Sequence, residues 1–418
     1  MASLGSPDRA APNHANAQIR QLHRLRWQGN PVQASLSVAT GLVLLGLPFL
    51  NVAPNRLVSG EPLFFFALLQ GPLGALAALQ LGVLAALAAA SLLRPGRAQP
   101  GLVAAASILS MAGLLGLAGE QALLVAQTAS PLSRTSLGGA FWLSALLLGL
   151  NAADALQRLR LGAGLRTATL LLTLLLLVGL VAIGVCDALS IMKEYANRSD
   201  AFGTAIARHL QIVASALLPT LLIGLPLGWA AWRHLRLGAA LFPALNVIQT
   251  IPSIALFGLL MAPLALLAAA WPALGRAGIS GVGLAPAVIA LLLYSLLPVV
   301  RGTLAGLEQV PAGVRDAARG LGMGRWPIFW RVELPLAAPV VLAGVRTAAV
   351  QSVGLAAVTA LIGAGGLGAI MFEGLFSSAE DLVLLAVLPI VLLGVAVDAV
   401  FGALIGLAER RASGASPS

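Results

Sequence analysis

Residues 316–335 read DAARGLGMGRWPIFWRVELP, a polar island between two long apolar runs. The island carries Arg319, Arg325 and Arg331, follows Arg315 directly, and places Gly320, Gly322 and Gly324 at alternate positions. Pro311 is suited to open a helix, where its missing N–H costs nothing. That helix carries Arg315, Asp316, Ala317, Ala318 and Arg319, and the i, i+4 spacing sets Ala317 and Leu321 on one face. The glycines then stop it and allow a sharp backbone turn. A second short segment follows, with Trp326 and Trp330 one turn apart at a lipid interface and Pro335 opening the next apolar run. Small residues and bare backbone in such a loop suit close approach by another protein, while the plain alternative is a solvated basic loop.

Working outward, the chain has 418 residues, 59% of them hydrophobic and 10% charged. A soluble chain of this length is about a quarter charged. Apolar runs of roughly 20 residues recur, each long enough to cross ~30 Å of hydrocarbon as a helix. The alternating ~10-residue segments of a β-barrel do not occur. The expected fold is therefore an all-α polytopic membrane protein with about ten transmembrane helices, placed near 36–52, 65–93, 101–126, 139–156, 167–186, 210–232, 239–262, 279–300, 338–362 and 382–407. Gly71-Pro72 either kinks the second span or marks its true start.

Basic residues fall on one side of this scheme. Arg94 and Arg97, then Arg158, Arg160 and Arg166, then Arg233 and Arg236, the island, and Arg410 with Arg411 all fall in loops that an N-inside topology leaves cytoplasmic. That skew accounts for the net charge of +10 without a nucleic acid partner. The expected organisation is a cytoplasmic tail (1–34), a five-span region (35–186), a periplasmic loop (187–209), a second five-span region (210–408) and a C-terminal tail (409–418). Both termini are expected on the cytoplasmic side of a bacterial inner membrane. The lone cysteine, Cys186, reads as a buried, inert thiol.

Several chemistries are excluded. The single lysine, Lys193, stands in SIMKEY, so the chain lacks the G-x-x-x-x-G-K-[ST] loop of a Walker-type ATPase. His14, His23, His209 and His234 are scattered, and no metal site is expected. Gly363-Ala-Gly365-Gly366-Leu-Gly368 matches G-x-G-x-x-G literally. A dinucleotide site needs a βαβ setting, whereas these glycines end an apolar helix and read as a tight break, a close packing point or a gate.

Polar groups inside a bilayer are costly and often functional. Gln249, Thr250 and Ser253 flank Pro252, and Gln351 and Ser352 lie in the ninth span. They line a translocation path or serve helix–helix hydrogen bonding. Asp154, Asp398 and Glu120 read as structural.

The island resembles the cytoplasmic EAA loop of ABC importer permeases. Asp316-Ala317-Ala318 is followed after three residues by Gly322, and after nine more by Val332-Glu333-Leu334-Pro335. Asp stands in place of Glu and Val in place of Ile. The resemblance implies that Asp316, Ala317, Ala318, Arg319, Gly322, Leu334 and Pro335 couple the chain to a separate ATPase subunit, which holds the ATP and Mg. Gln249-Thr-Ile-Pro252-Ser253, Gly224-Leu-Pro226-Leu-Gly228 and ALIGAGGLG (360–368) are similar to the osmoprotectant branch, which imports glycine betaine, choline and related quaternary amines. It implies a C-terminal core of type I ABC importer permease fold, a periplasmic or lipid-anchored solute-binding protein, and a second permease copy or paralogue. The five N-terminal spans resemble those of a longer subgroup. No cofactor is expected on the chain itself. Few aromatics lie at mid-span to cage a cation, a task that falls to the binding protein in the family. The rival readings are an importer for amino acids or another small solute, an ion-coupled secondary transporter, and a membrane enzyme.

Overall fold

A computed structural model describes residues 30–412, apart from Leu57, Ser59, 93–95, 97, 131, 160, 161 and 277. Arg94, Arg97, Arg160, residues 1–29 of the expected N-terminal tail and 413–418 of the C-terminal one lie outside the described residues. Eight helices among those described are long and apolar enough to cross a membrane, and shorter apolar helices cover Pro31–Gly46, Ala168–Ala182 and Leu367–Phe376.

The chain divides into two compact units. The first holds 1–161 with 172–189, and the second holds 162–171 with 190–418. In the first unit, α1 (Pro31–Gly46), α2 (Gly74–Leu92), α3 (Gln99–Thr128) and α4 (Gly139–Arg158) pack as a bundle. Asn30 caps α1 by accepting from the Val32 N–H, so residues 31–34 are helical rather than tail. Buried Leu44, Leu87, Leu114, Leu148 and Phe141 form the core. Some polar groups in and beside it find partners across helices. Asn151 donates to Ser37 Oγ at 3.0 Å, Gln80 to the Ser110 carbonyl at 3.1 Å, and Asn30 to Asp154 at 2.9 Å. Asp154 also pairs with Arg158 at 2.7 Å, the structural role expected of it. Glu120 is exposed.

One feature of this unit was not expected. β1 (Pro48–Ala53), β2 (Glu61–Phe64) and β3 (Arg134–Leu137) form an antiparallel sheet in the order β2-β1-β3. The span placed at 36–52 therefore stops at Gly46. Leu47 is extended and Pro48 brings no N–H to a helix, so Phe49 and Leu50 are buried in the sheet instead. The second span likewise begins at Gly74, after Gly71-Pro72, and not at 65.

α5 (Ala163–Ala182) follows, then the second unit continues with α6 (Ser190–Ala196) and α7 (Ser199–Arg233). The stretch expected as a loop, 187–209, is thus helical over most of its length. α7 has 35 residues, about 52 Å at 1.5 Å per residue. That exceeds the hydrocarbon thickness, which is why its first turns are polar and read as a loop.

The seventh expected span is two helices, α8 (Leu235–Thr250) and α9 (Ser253–Ala270). Ile251 is extended (φ −72, ψ 127) before Pro252, as the clash with a following proline ring demands. α10 (Leu284–Glu308) is the most buried long helix and packs against α7 and α13 (Leu334–Val358). Glycines set these crossings: a Cβ on Gly302 would stand 2.8 Å from Gly344 Cα, and one on Gly224 would stand 2.8 Å from a Val299 methyl. α14 (Leu367–Phe376) and α15 (Glu380–Ala412) complete the unit, so 409–412 is helix rather than tail. Arg346 on α13 and Asp398 on α15 form a two-point ion pair, both contacts at 2.5 Å, in keeping with the structural role read for Asp398.

Candidate functional site

The island folds as α11 (Ala312–Gly320), a turn, α12 (Arg325–Ile328) and one π-turn over Phe329–Glu333 that runs into α13. Pro311 takes the N-cap position, and Gly322 closes the turn with φ +79. Only glycine adopts that conformation at no cost. Nothing lies within 4 Å of where a Gly322 side chain would begin. The helix–turn–helix reading matches, with one correction. Pro335 does not open a separate span, because the backbone from Arg325 to Ile362 is continuous through the π-turn. Pro335 sits in the first turn of α13, directly after the π-turn.

The loop has two faces. Asp316, Ala317, Arg319, Gly320, Leu321 and Gly322 are exposed, Leu321 at 82%. Ala318 is buried at 5% and so faces into the chain, away from the open surface. Arg315 also points inward. Its guanidinium lies 3.2 Å from the Glu333 carboxylate, donates to the Leu307 carbonyl at 2.7 Å, and sits 5.1 Å from the centre of the Trp232 ring. Glu333 is buried and its Oε2 has no partner. Arg319 pairs with Asp316 at 2.9 Å, but both are about two thirds exposed, so solvent screens the pair and it holds little. Trp326 stacks on Trp229 at 6.3 Å. Leu334 contributes to the apolar surface beside these rings.

A second concave region lies between α8, α10 and α13. It is a cleft of about 450 Å³ whose polar wall is Gln249, Arg301, Thr347 and Gln351. Gln249 donates to the Tyr294 carbonyl at 2.7 Å, and the Tyr294 hydroxyl donates to the Ile251 carbonyl freed at the proline break. Thr250 bonds back to Val247. Ser352 is fully buried and shares a 2.9 Å hydrogen bond with Ser295. The expected pathway residues therefore separate. Gln249 and Gln351 line the cleft, while Ser352 joins helices and Pro252 and Ser253 form the break beside it. Arg301 and Asn246 escaped the sequence reading. Arg301 donates to Asn246 at 3.3 Å. The tell was an arginine only one residue beyond the expected end of the eighth span, where it passed for a loop residue.

The glycine run after α13 is a tight, packed turn. Gly363, Gly365 and Gly366 all have positive φ. A Cβ on Gly366 would stand 3.2 Å from His209 Cα, and one on Gly368 would strike the Ala357 carbonyl. Arg208 donates to the Ala364 carbonyl at 2.9 Å and buried His209 bonds the Val353 carbonyl at 3.1 Å. Among the described residues no group of three His, Cys, Asp or Glu is placed to hold a metal.

Residues 220–413 match the model of the binding-protein-dependent transport system inner membrane component, and residues 29–192 match that of the ABC transporter permease YehY, N-terminal domain. The chain is 41% identical over 191 residues to the osmoprotectant import permease protein OsmW of Salmonella typhimurium, covering 46% of this chain and 84% of that one. It is 34% identical over 196 residues to the glycine betaine/carnitine/choline transport system permease protein OpuCD of Bacillus subtilis, covering 47% and 79%. Among solved structures, an inward-facing MetNI methionine ABC transporter chain matches with 21% identity and a TM-score of 0.41, over 48% of this chain and 95% of that one.

Proposed function

The chain belongs to the binding-protein-dependent inner membrane component family of ABC importers, a transport subunit rather than an enzyme, and from that premise we propose that it imports osmoprotectants such as glycine betaine, choline or related quaternary amines. The observation that carries the ATPase contact is α11 with its Gly322 turn, a small-residue surface left open beside an exposed leucine, and the solute class is supported by the likeness to osmoprotectant permeases. A separate cytoplasmic ATPase, with its ATP and Mg, docks on Asp316, Ala317, Arg319, Leu321 and Gly322. Ala318, Leu334 and Pro335 act from within the loop by holding its shape. The chain lies in a bacterial inner membrane with both termini cytoplasmic. A second copy or a paralogue pairs with it, and a periplasmic or lipid-anchored binding protein delivers solute. Site alternation follows from ATP-driven differences in contact at the loop. Gln249, Gln351 and Arg301 face the solute in the cleft, and the glycine turn at 363–368 closes its outer end.

The test is uptake into proteoliposomes holding the chain, its ATPase and its binding protein. Uptake of radiolabelled glycine betaine requires internal ATP under this reading. Uptake driven by a proton gradient without ATP would favour an ion-coupled transporter instead.

A further inference from the structure

Beside the inner face of α11 lie two adjoining hollows of opposite chemistry. The first, about 330 Å³, is walled by Arg233, Arg315, Arg319 and Arg325, with Glu333 as its acidic group. The second, about 370 Å³, is walled by Trp229, Trp326, Phe329 and Trp330, with Leu225 and Leu334. They meet where Arg233 lies one turn after Trp229, its guanidinium 5.7 Å from that ring, and where Arg325 precedes Trp326.

The charges in the first hollow do not cancel. Arg315 has Glu333 and Arg319 has Asp316. Arg233 and Arg325 make no ion pair with any carboxylate among the described residues, and Arg233 Nε is buried without a hydrogen bond. Arg233 is instead held over Trp232, 4.8 Å from the ring centre. A half-buried guanidinium, Arg233, and an exposed one, Arg325, both without a carboxylate partner, line a polar hollow that suits an anion. The neighbouring hollow calls for something apolar: Trp326 and Trp330 remain 62% and 59% exposed, and Trp229 Nε1 is buried without an acceptor. A free phosphate satisfies the first hollow and leaves the second open. An acidic protein segment does the same.

We propose that the two hollows together bind one anionic phospholipid. Its phosphate rests on Arg233 and Arg325, and its glycerol and first acyl carbons lie against Trp229, Trp326, Phe329 and Trp330. Tryptophans gather at the membrane–water boundary, and clustered arginines there select anionic headgroups. The lipid thereby packs under the loop whose opposite face is open. The proposal does not depend on the identity of the solute.

The test uses the full chain, purified and reconstituted in equimolar phosphatidylglycerol and phosphatidylcholine, then moved to detergent and examined by native mass spectrometry. The wild-type chain retains phosphatidylglycerol in preference to phosphatidylcholine. Each of Arg233→Gln and Arg325→Gln lowers that preference about fivefold, and the double variant about thirtyfold. Arg236→Gln, an exposed neighbour outside both hollows, leaves it unchanged. Size-exclusion profiles and thermal midpoints confirm that the variants fold. Equal retention of the two lipids by the wild-type chain would overturn the proposal. It would equally fall if the double variant kept its lipid preference and lost ATPase-subunit binding, since the arginines would then belong to a protein contact.

Discussion

Replacing Arg315 with Met should loosen the island more than any change on its exposed face. The side chains of Arg315 and Glu333 are 19% and 5% exposed, so water screens their attraction poorly. The contact at 3.2 Å is a charge contact rather than a straight hydrogen bond, because Arg315 Nε and Glu333 Oε2 both lack a hydrogen-bond partner. Arg315→Met leaves the Glu333 carboxylate buried without a cation and removes the bond to Leu307. Breaking a buried pair from one side costs about 3–5 kcal/mol. Replacing both partners with apolar residues of similar volume is often neutral. The double variant Arg315→Met/Glu333→Leu should therefore recover to within about 1 kcal/mol of wild type, far less than the sum of the two single changes. The assay is thermal unfolding of the purified chain in one detergent, with all four members of the cycle run side by side. If the single variant matched wild type, or the double were as unstable as Arg315→Met, the pair would not be the anchor described here.

Three further outcomes are expected. Gly322→Val pays about 1–2 kcal/mol for a side chain in the left-handed region and meets no neighbour in the chain, so membrane insertion should persist while ATP-driven uptake is lost; normal uptake would remove the turn from the docking surface. Cys186 should resist maleimide at pH 7.5 in the native chain and react once denatured, because burial first, and the Asp187 charge second, push its thiol up to about 11 and leave only roughly one molecule in a few thousand as the reactive thiolate; rapid native labelling would contradict this. Arg301→Gln should raise the KM for carboxylate-bearing glycine betaine by about tenfold, as loss of a charged hydrogen bond implies, and leave choline uptake little changed; equal effects on both solutes would take Arg301 off the solute's path.

What the sequence made legible was local. The island announces itself by composition, and Pro311 and Gly322 mark the turns at its ends because their backbone chemistry allows little else. Pro252 lay inside a span read as one helix, and the structure breaks that helix at Ile251. The missing pieces depend on partners far away in the chain. β3 is four residues long and is a strand only because β1 lies beside it, more than 80 residues earlier. Glu333 is paired only because Arg315, on another helix, is set against it. Arg346 and Asp398, 52 positions apart, match each other's charge across two apolar helices, which no periodicity reveals. The long polar start of α7 was hidden for a different reason, since a helix that outruns the bilayer loses the hydropathy that marks it.

These long-range contacts also explain how a loop can act on a cleft. Glu333 lies in the π-turn, and the π-turn continues without a break into α13. The anchor from Arg315 therefore ties α11 to the same helix that brings Thr347 and Gln351 to the cleft. Gly344, between them, lets α13 touch α10 at Gly302, backbone against backbone. Interfaces packed this closely shift between discrete arrangements rather than yielding by small amounts. A displacement of α11 is passed to α13 through Glu333, and α13 cannot shift at Gly344 without moving against the α10 wall that carries Arg301. On the proposed docking, a contact at the exposed face of the island reaches the cleft through its buried face.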